Sequence, residues 1–398
     1  MDDGHLATDL VSLTWIAAAA VLSPLLASLT RKKVPDVVWL LVLGILIGPQ
    51  VLGIAEASDG VALVREIGLG LLFLLAGLEL DTDSLRDRRG RRAIVTWLIC
   101  FALALAGGYL LASGEDLRLA AVFAIAVTST ALGTLLPIVK ESVGTASPLG
   151  RAVLTHGAIG ELGPVIAMSL LLSTRSPLGA GLILIAFAVV ALAVVVIPAR
   201  LVRRIPGAHR AMIAGVHSTS QTLLRFAMLV LIALMAVSAL FELDVVLGAF
   251  IAGMLLRRLL PRDDRTLLDK VEVAGFSLLI PVFFVTSGMA LDISAVGEHL
   301  GLLAGIVAVI VVVRGVPVWL RERFDRRGSA FETHRDQIAL GLYSATGLPM
   351  IVAVTEVARR TDLIDETTAS VLVAAGAVTV LLFPLIADLV RSADERVG

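Results

Sequence analysis

The sequence predicts an all-α polytopic membrane protein: thirteen transmembrane helices in two inverted-topology six-helix repeats, with discontinuous helices and a linker helix between the repeats. Three observations carry that prediction. The first is composition: of 398 residues, 58% are apolar and 17% charged, and the mean hydropathy is +0.94. A soluble domain carries about 45–50% apolar residues and about 25% charge, so this chain cannot cover its apolar surface in water. Lipid resolves the mismatch, because one spanning helix needs about 20 mostly apolar residues. The second is the distribution of basic residues along the chain, and the third is an internal repeat.

In chain order the apolar runs cover 9–29, 34–54, 61–81, 93–113, 117–139, 148–173, 177–202, 212–241, 244–260, 270–291, 299–320, 336–358 and 367–390. Span 1 follows Met1-Asp2-Asp3-Gly4-His5, with acids where a secretory signal is basic, so it reads as a retained helix. Connections are short, and the longest, 321–335, carries Arg321, Arg323, Arg326, Arg327 and Arg335. Residues 1–398 therefore read as one transmembrane domain with no C-terminal soluble domain.

Cytoplasmic loops are enriched in Lys and Arg. With the N-terminus outside, 26 of the 33 basic residues fall in the cytoplasmic set of segments, beginning with Arg31, Lys32 and Lys33. Arg118, Arg175, Arg359 and Arg360 fall on the other side, while Arg65, Arg225 and Arg314 lie in or at the edge of spans. A miscount of one helix would scramble this alternation. An odd number of spans is expected, with the N-terminus out and the C-terminus in.

The repeat is read from two matches. Span 3 ends Gly77-Leu78-Glu79-Leu80-Asp81 and span 10 ends Gly288-Met289-Ala290-Leu291-Asp292, an offset of 211. Span 5 contains Thr134-Leu135-Leu136-Pro137 and span 12 contains Thr346-Gly347-Leu348-Pro349, an offset of 212. One register over both pairs spans 1–6 (residues 9–173) with spans 8–13 (212–390) and leaves span 7 (177–202) as linker. Partners seven spans apart cross the membrane in opposite directions, the inverted arrangement of many secondary transporters.

Such transporters bind ions at mid-membrane, where paired helices break and release backbone groups. Spans 5 and 12 invite breaking: Thr128, Ser129, Thr130, Gly133 and Pro137 in one, Ser344, Thr346, Gly347 and Pro349 in the other. Hydroxyls can re-satisfy the backbone groups a break exposes. An ionisable residue within a span is a functional candidate by default. Glu161, ten residues beyond Arg151 in span 6, lies about 15 Å deep at 1.5 Å per residue. There a carboxylate can exchange a proton for a monovalent cation, with hydroxyl and carbonyl oxygens completing the shell; a locked structural hydrogen bond is the alternative. Arg314 in span 11 stays protonated and reads as a fixed charge, either paired with a carboxylate or holding broken helix ends, unless it snorkels to the interface. Glu79 and Asp81 are candidate partners or headgroup-level acids. His156 is a structural or ligating histidine, His217 and Arg225 in span 8 are unassigned, and Glu56, Asp59, Glu242 and Asp244 read as solvated loop acids.

Four segments carry a family resemblance: Gly70-Leu-Leu-Phe-Leu-Leu-Ala-Gly-Leu-Glu-Leu-Asp81, Thr128-Ser-Thr-Ala-Leu-Gly-Thr-Leu-Leu-Pro-Ile-Val-Lys-Glu141, Arg314-Gly-Val-Pro317 and Thr346-Gly-Leu-Pro349. In this order the chain resembles the monovalent cation:proton antiporter-2 family, close to Kef-type and sodium/proton exchangers. The resemblance implies a thirteen-helix transporter of the bacterial cytoplasmic membrane, a homodimer with crossed discontinuous helices, and an elevator-like movement of a core bundle. It also implies no resident cofactor, with sodium or potassium and the proton as cargo. By position, the family's ion-binding pair on span 6 falls on Gly160-Glu161, its basic residue on Arg314, and the hydroxyls of the broken span on Thr128, Ser129 and Thr130. The chain departs from the usual pattern at Gly160, where an acid or amide is expected. One remaining carboxylate favours one-for-one electroneutral exchange. Kef-type relatives carry a C-terminal nucleotide-sensing domain, and none is expected here.

Other classes are less well served. A net charge of -1 offers no basic field for nucleic acid, and the single Cys100 supplies neither an intrachain disulfide nor a cysteine metal site. No Gly-x-Ser-x-Gly and no facing aspartate pair points to an intramembrane hydrolase. A sodium-coupled organic anion transporter of the same fold, or a transport-inactive membrane sensor, is the competing expectation.

Overall fold

A computed structural model describes residues 3–30, 34–80, 87–111, 116–144, 146–172, 177–204, 221–259, 265–324, 331 and 333–392. Those residues are helical apart from their connections. In chain order the helices are α1 Asp3–Leu29, α2 Asp36–Ile47, α3 Asp59–Glu79, α4 Arg88–Leu111, α5 Leu117–Thr128, α6 Leu132–Ser142, α7 Pro148–Leu171 and α8 Pro177–Arg204. They continue as α9 Thr222–Leu240 and α10 Val245–Leu259, then α11 Thr266–Met289 and the short α12 Ile293–Glu298. The last four are α13 Leu300–Arg323, α14 His334–Ser344, α15 Leu348–Arg360 and α16 Glu366–Ser392.

Ten helical stretches among the described residues are long and apolar enough to cross a membrane, with α5–α6 and α14–α15 each counted as one. Three of the thirteen apolar runs are not among them. Run 2 is helical only over Asp36–Ile47, run 9 over Val245–Leu259, and the described apolar part of run 7 is Gly181–Val194. The shortening of run 2 has a local cause. Pro49 disfavours helix at the residue before it, and Gly48 is extended, with ψ 174°. Prolines also explain two π-turns, Gly275–Leu279 in α11 and Val311–Gly315 in α13, which lie just before Pro281 and Pro317. A proline cannot donate to the carbonyl one turn back, and the wider turn accommodates the mismatch.

The chain forms two compact units, neither of which is a contiguous half of the sequence. One comprises Met1–Ala17, Ala57–Leu80 and Ser173–Phe283, and the other Ala18–Glu56, Asp81–Leu172 and Phe284–Gly398. In the first, α3 packs on α10 through Gly77 and Gly253. A Cβ on Gly77 would lie 3.0 Å from the Gly253 Cα, and one on Gly253 would lie 2.8 Å from the Gly77 Cα. Small residues thus bring two backbones into contact, a common packing mode in lipid. The second unit holds α4–α7 and α13–α16, and with them every residue of the site described next.

Candidate functional site

α5 stops at Thr128 and α6 starts at Leu132, leaving Ser129, Thr130 and Ala131 outside any helix. α14 stops at Ser344 and α15 starts at Leu348, leaving Ala345, Thr346 and Gly347. The two breaks satisfy each other. The Ala131 N–H donates to the Thr346 carbonyl at 2.6 Å, Thr130 Oγ1 donates to the Ser344 carbonyl at 2.5 Å, and Ser129 Oγ donates to the Gly347 carbonyl at 3.3 Å. Lipid cannot supply these partners. Gly347 permits the approach, since a Cβ there would run into Ser129 Oγ and lie 2.8 Å from the Ser129 carbonyl oxygen.

α7 is tied to the crossing by a proline. In a regular helix residue 164 would donate its N–H to the Gly160 carbonyl, but Pro164 has none. The carbonyl so released accepts the Thr130 N–H at 2.8 Å. The next residue is Glu161, 5% exposed and the only buried acid among the described residues. Gly157 lies one turn earlier on the same helix face. A Cβ there would come within 2.9 Å of Leu132 Cδ1, so this stripe of α7 turns toward the start of α6, whose N-terminal partial positive charge favours an anion.

Arg314 sits on the π-turn of α13 with its side chain fully buried. Nε donates to the Ser344 carbonyl at 3.2 Å, while Nη2 donates to Thr130 Oγ1 and to the His156 carbonyl, both at 3.0 Å. The Cys100 thiol on α4 lies against the same guanidinium. Among the described residues no carboxylate forms an ion pair with it. Its charge meets carbonyl dipoles instead, including the C-terminal residue of α14, the end of a helix that favours a cation. α4 adds a further brace: Trp97 Nε1 donates to the Thr128 carbonyl at 3.2 Å, and its ring fills the space against Gly163.

The sequence-derived candidates therefore divide. Thr128, Ser129, Thr130, Ser344, Thr346, Gly347, His156, Glu161 and Arg314 all belong to the crossing or to the helices against it. Thr130 does not serve as a ready cation ligand. Its hydroxyl accepts from the guanidinium and donates to a carbonyl, and a cation bound there would meet a fixed positive charge about 3 Å away. Thr128 donates its hydroxyl proton to the Ala124 carbonyl, and Ser129 shares its single proton between the Ala126 and Gly347 carbonyls, which leaves oxygen lone pairs on both. Gly133 meets nothing within 4 Å of a Cβ, so no close approach requires it. Pro137 lies within α6, and its side chain is outside the described residues. Pro349 occupies the first turn of α15, where proline is tolerated. His156 contributes its carbonyl to Arg314, while its buried Nδ1 makes no hydrogen bond. Glu79 ends α3 in the other compact unit. Asp81 and His217 are outside the described residues. Sequence reasoning missed the roles of Pro164, Trp97 and Cys100. Only Pro164 left a readable signal, a proline four residues after Gly160.

Two helices that break and meet inside a polytopic helical membrane protein, beside a buried carboxylate and a buried guanidinium, make up the site. The family described as sodium/hydrogen exchanger, transmembrane, matches residues 17–389, and the chain belongs to it. Among curated relatives, YjbQ of Bacillus subtilis (strain 168), provisionally named a Na(+)/H(+) antiporter, is 23% identical over 400 residues, covering 95% of this chain. The chain spans 62% of the length of that relative. The iron transporter MagA of Paramagnetospirillum magneticum is 26% identical over 318 residues, 76% of this chain and 69% of that one. The solved sodium proton antiporter MjNhaP1 from Methanocaldococcus jannaschii has the same fold, with a TM-score of 0.64 at 19% identity and 96% of both chains covered.

Proposed function

We propose that this protein exchanges one monovalent cation, sodium or potassium, for one proton, with Glu161 binding the two in turn. The observation that carries this reading is the contrast between the site's two charged groups. Glu161 is the only buried acid among the described residues, and the buried Arg314 beside its helix is held by carbonyls and a hydroxyl rather than by a carboxylate. Arg314 therefore keeps the same charge and the same partners whichever ion Glu161 holds. The carboxyl is neutral when protonated and neutral as a pair with a monovalent cation, so both loaded states carry equal charge and the exchange is electroneutral.

The lone pairs on Thr128 and Ser129 and the carbonyls at the breaks are the oxygens available to complete a cation shell. Oxygen ligands with one carboxylate suit a hard alkali cation better than a transition metal. The crossing, Glu161 and Arg314 belong to one compact unit, as a cycle that carries the site on a single moving bundle requires. The finer architecture belongs to the same reading: thirteen spans, two inverted repeats, a homodimer, and insertion in the bacterial cytoplasmic membrane with the N-terminus outside.

The test is purified protein in proteoliposomes with a pH-sensitive dye, challenged with sodium, potassium and lithium in turn. Exchange is expected to survive an imposed membrane potential unchanged and to be lost in Glu161→Ala. Exchange that persists in Glu161→Ala, in folded protein, overturns the mechanism. Exchange that responds steeply to potential overturns the stoichiometry alone.

A further inference from the structure

Away from the crossing, α4 and α13 enclose a second feature. Their facing surfaces leave a cleft of about 590 Å3, lined by Arg92, Thr96, Ile99 and Leu103 of α4 and by Pro317, Leu320, Arg321, Glu322 and the following Phe324 on the α13 side. The α4 residues recur at helical spacing and form a single stripe. From Arg92 to Leu103 that stripe rises about 16 Å at 1.5 Å per residue.

Polarity along the cleft is one-sided. Both guanidiniums and the one carboxylate lie toward the arginine-rich helix ends, where α4 opens Arg88-Arg89-Gly90-Arg91-Arg92 and α13 closes on Arg321 and Arg323. Two guanidiniums against the Glu322 carboxylate leave the lining with an excess positive charge. Farther in, the walls are apolar and open to the outside: Ile99 is 44% exposed and Leu103 54%. A compact soluble anion would use the charged end and leave the apolar length empty. A molecule with an anionic head and a hydrocarbon tail fits both parts, and basic pockets between helices at headgroup level recognise lipid phosphates.

We propose that the α4–α13 cleft binds an anionic phospholipid. Arg92 and Arg321 hold the phosphate, and an acyl chain lies along Ile99, Leu103, Pro317 and Leu320. The site bears on the transport machinery through the same two helices. Trp97 and Cys100 on α4 contact the Thr128 carbonyl and Arg314, and Arg314 itself lies three residues before Pro317. A lipid seated in the cleft braces the helices that hold the crossing from behind.

The experiment is thermal melting of the purified full chain in neutral detergent with added phosphatidylglycerol, phosphatidylcholine or inorganic phosphate, together with native mass spectrometry of retained lipid. Phosphatidylglycerol is expected to raise the melting temperature by several degrees, phosphatidylcholine by clearly less, and one anionic lipid is expected to remain bound. The double substitution Arg92→Gln/Arg321→Gln should abolish the difference between the two lipids. Arg88→Gln/Arg89→Gln, which removes equal charge from exposed positions, should preserve it. Should the first variant fail to fold, Leu103→Gln, at an exposed wall position, should reduce the phosphatidylglycerol shift with all the arginines in place. Equal shifts with both lipids, an undiminished shift in the cleft variants, equal loss in the control variant, or a full shift with inorganic phosphate would each overturn the proposal.

Discussion

Substituting Gly160 by alanine tests how tightly the crossing is built. A Cβ at this position would lie 2.5 Å from Thr130 Cβ and 2.7 Å from Arg314 Nη2, and closer still to Thr130 Oγ1. Thr130 has no slack, because its N–H is held by the Gly160 carbonyl and its hydroxyl by the Ser344 carbonyl. One of two things must yield, the connection between α5 and α6 or the guanidinium. Overpacking a filled interior costs about 1–3 kcal/mol, and losing one hydrogen bond to a charged group costs about 1.5–3 kcal/mol. Alanine returns about 1 kcal/mol as a better helix former than glycine, so the net expectation is a loss of about 1.5–5 kcal/mol. At about 2–4 °C per kcal/mol for mid-sized domains, this is a fall of roughly 3–20 °C. The assay is detergent-solubilised thermal unfolding followed by size exclusion, run beside Gly107→Ala, where a Cβ meets nothing within 4 Å. A Gly160→Ala protein that melts with the wild type and exchanges ions at the same rate refutes the packing reasoning. It would equally undo the view that Thr130 and Arg314 fill the volume beside Gly160.

Three further outcomes follow from the same geometry. Arg314→Lys should not rescue Arg314→Ala, because a lysine ammonium cannot reach the Ser344 and His156 carbonyls and Thr130 Oγ1 with the planar fork that Arg314 uses; equal melting temperatures for Arg314→Lys and wild type would contradict this. Pro164→Ala restores an N–H that competes with Thr130 for the Gly160 carbonyl, so its melting temperature should hold or rise while exchange slows, and a faster exchanger would count against the role assigned to Pro164. Hydrogen bonds from the Thr368 side chain and backbone hold the exposed Asp365 carboxyl below its usual range at the start of α16. That stabilisation is present above the unfolded value of about 3.9 and is lost as pH falls through the lower folded value. Asp365→Ala should cost about 0.5–1 kcal/mol near neutral pH, at the low end because the group is solvent-screened, whereas Asp365→Asn should keep most of the cap and flatten the acid limb of a melting-temperature profile.

The legible part of the fold was the part governed by lipid. Apolar runs of spanning length and hydroxyl-glycine-proline clusters are one-dimensional signals, and the interruptions of α5–α6 and α14–α15 fall on the residues that carried them. Residues 129–131 and 345–347 lie outside the helices. Span length was less legible. Run 2 stays apolar past Gly48-Pro49, so hydropathy extends a helix that backbone sterics end at Ile47. Pairing was not legible at all. Whether Arg314 meets a carboxylate or a helix end depends on contacts 158 and 184 residues away in sequence, and composition gives no hint of them. The same is true of Thr130, whose residue type suits a cation shell and whose neighbour excludes one.

Gly160 and Pro164 are best understood together. The glycine leaves the volume that Thr130 and the guanidinium fill, and the proline leaves the Gly160 carbonyl that anchors the Thr130 amide. Restoring a side chain at 160 without moving Arg314 closes that volume, and restoring the N–H at 164 supplies the carbonyl with a competing donor. Each change loosens Thr130, and Thr130 in turn joins α5–α6 to the C-terminus of α14. Because both act through one residue, Gly160→Ala and Pro164→Ala should be strongly non-additive in a double-mutant cycle, with the double variant losing little more exchange than the worse single one. Additive losses would mean that the two residues support the crossing separately, and that the Thr130 amide bond is incidental to transport.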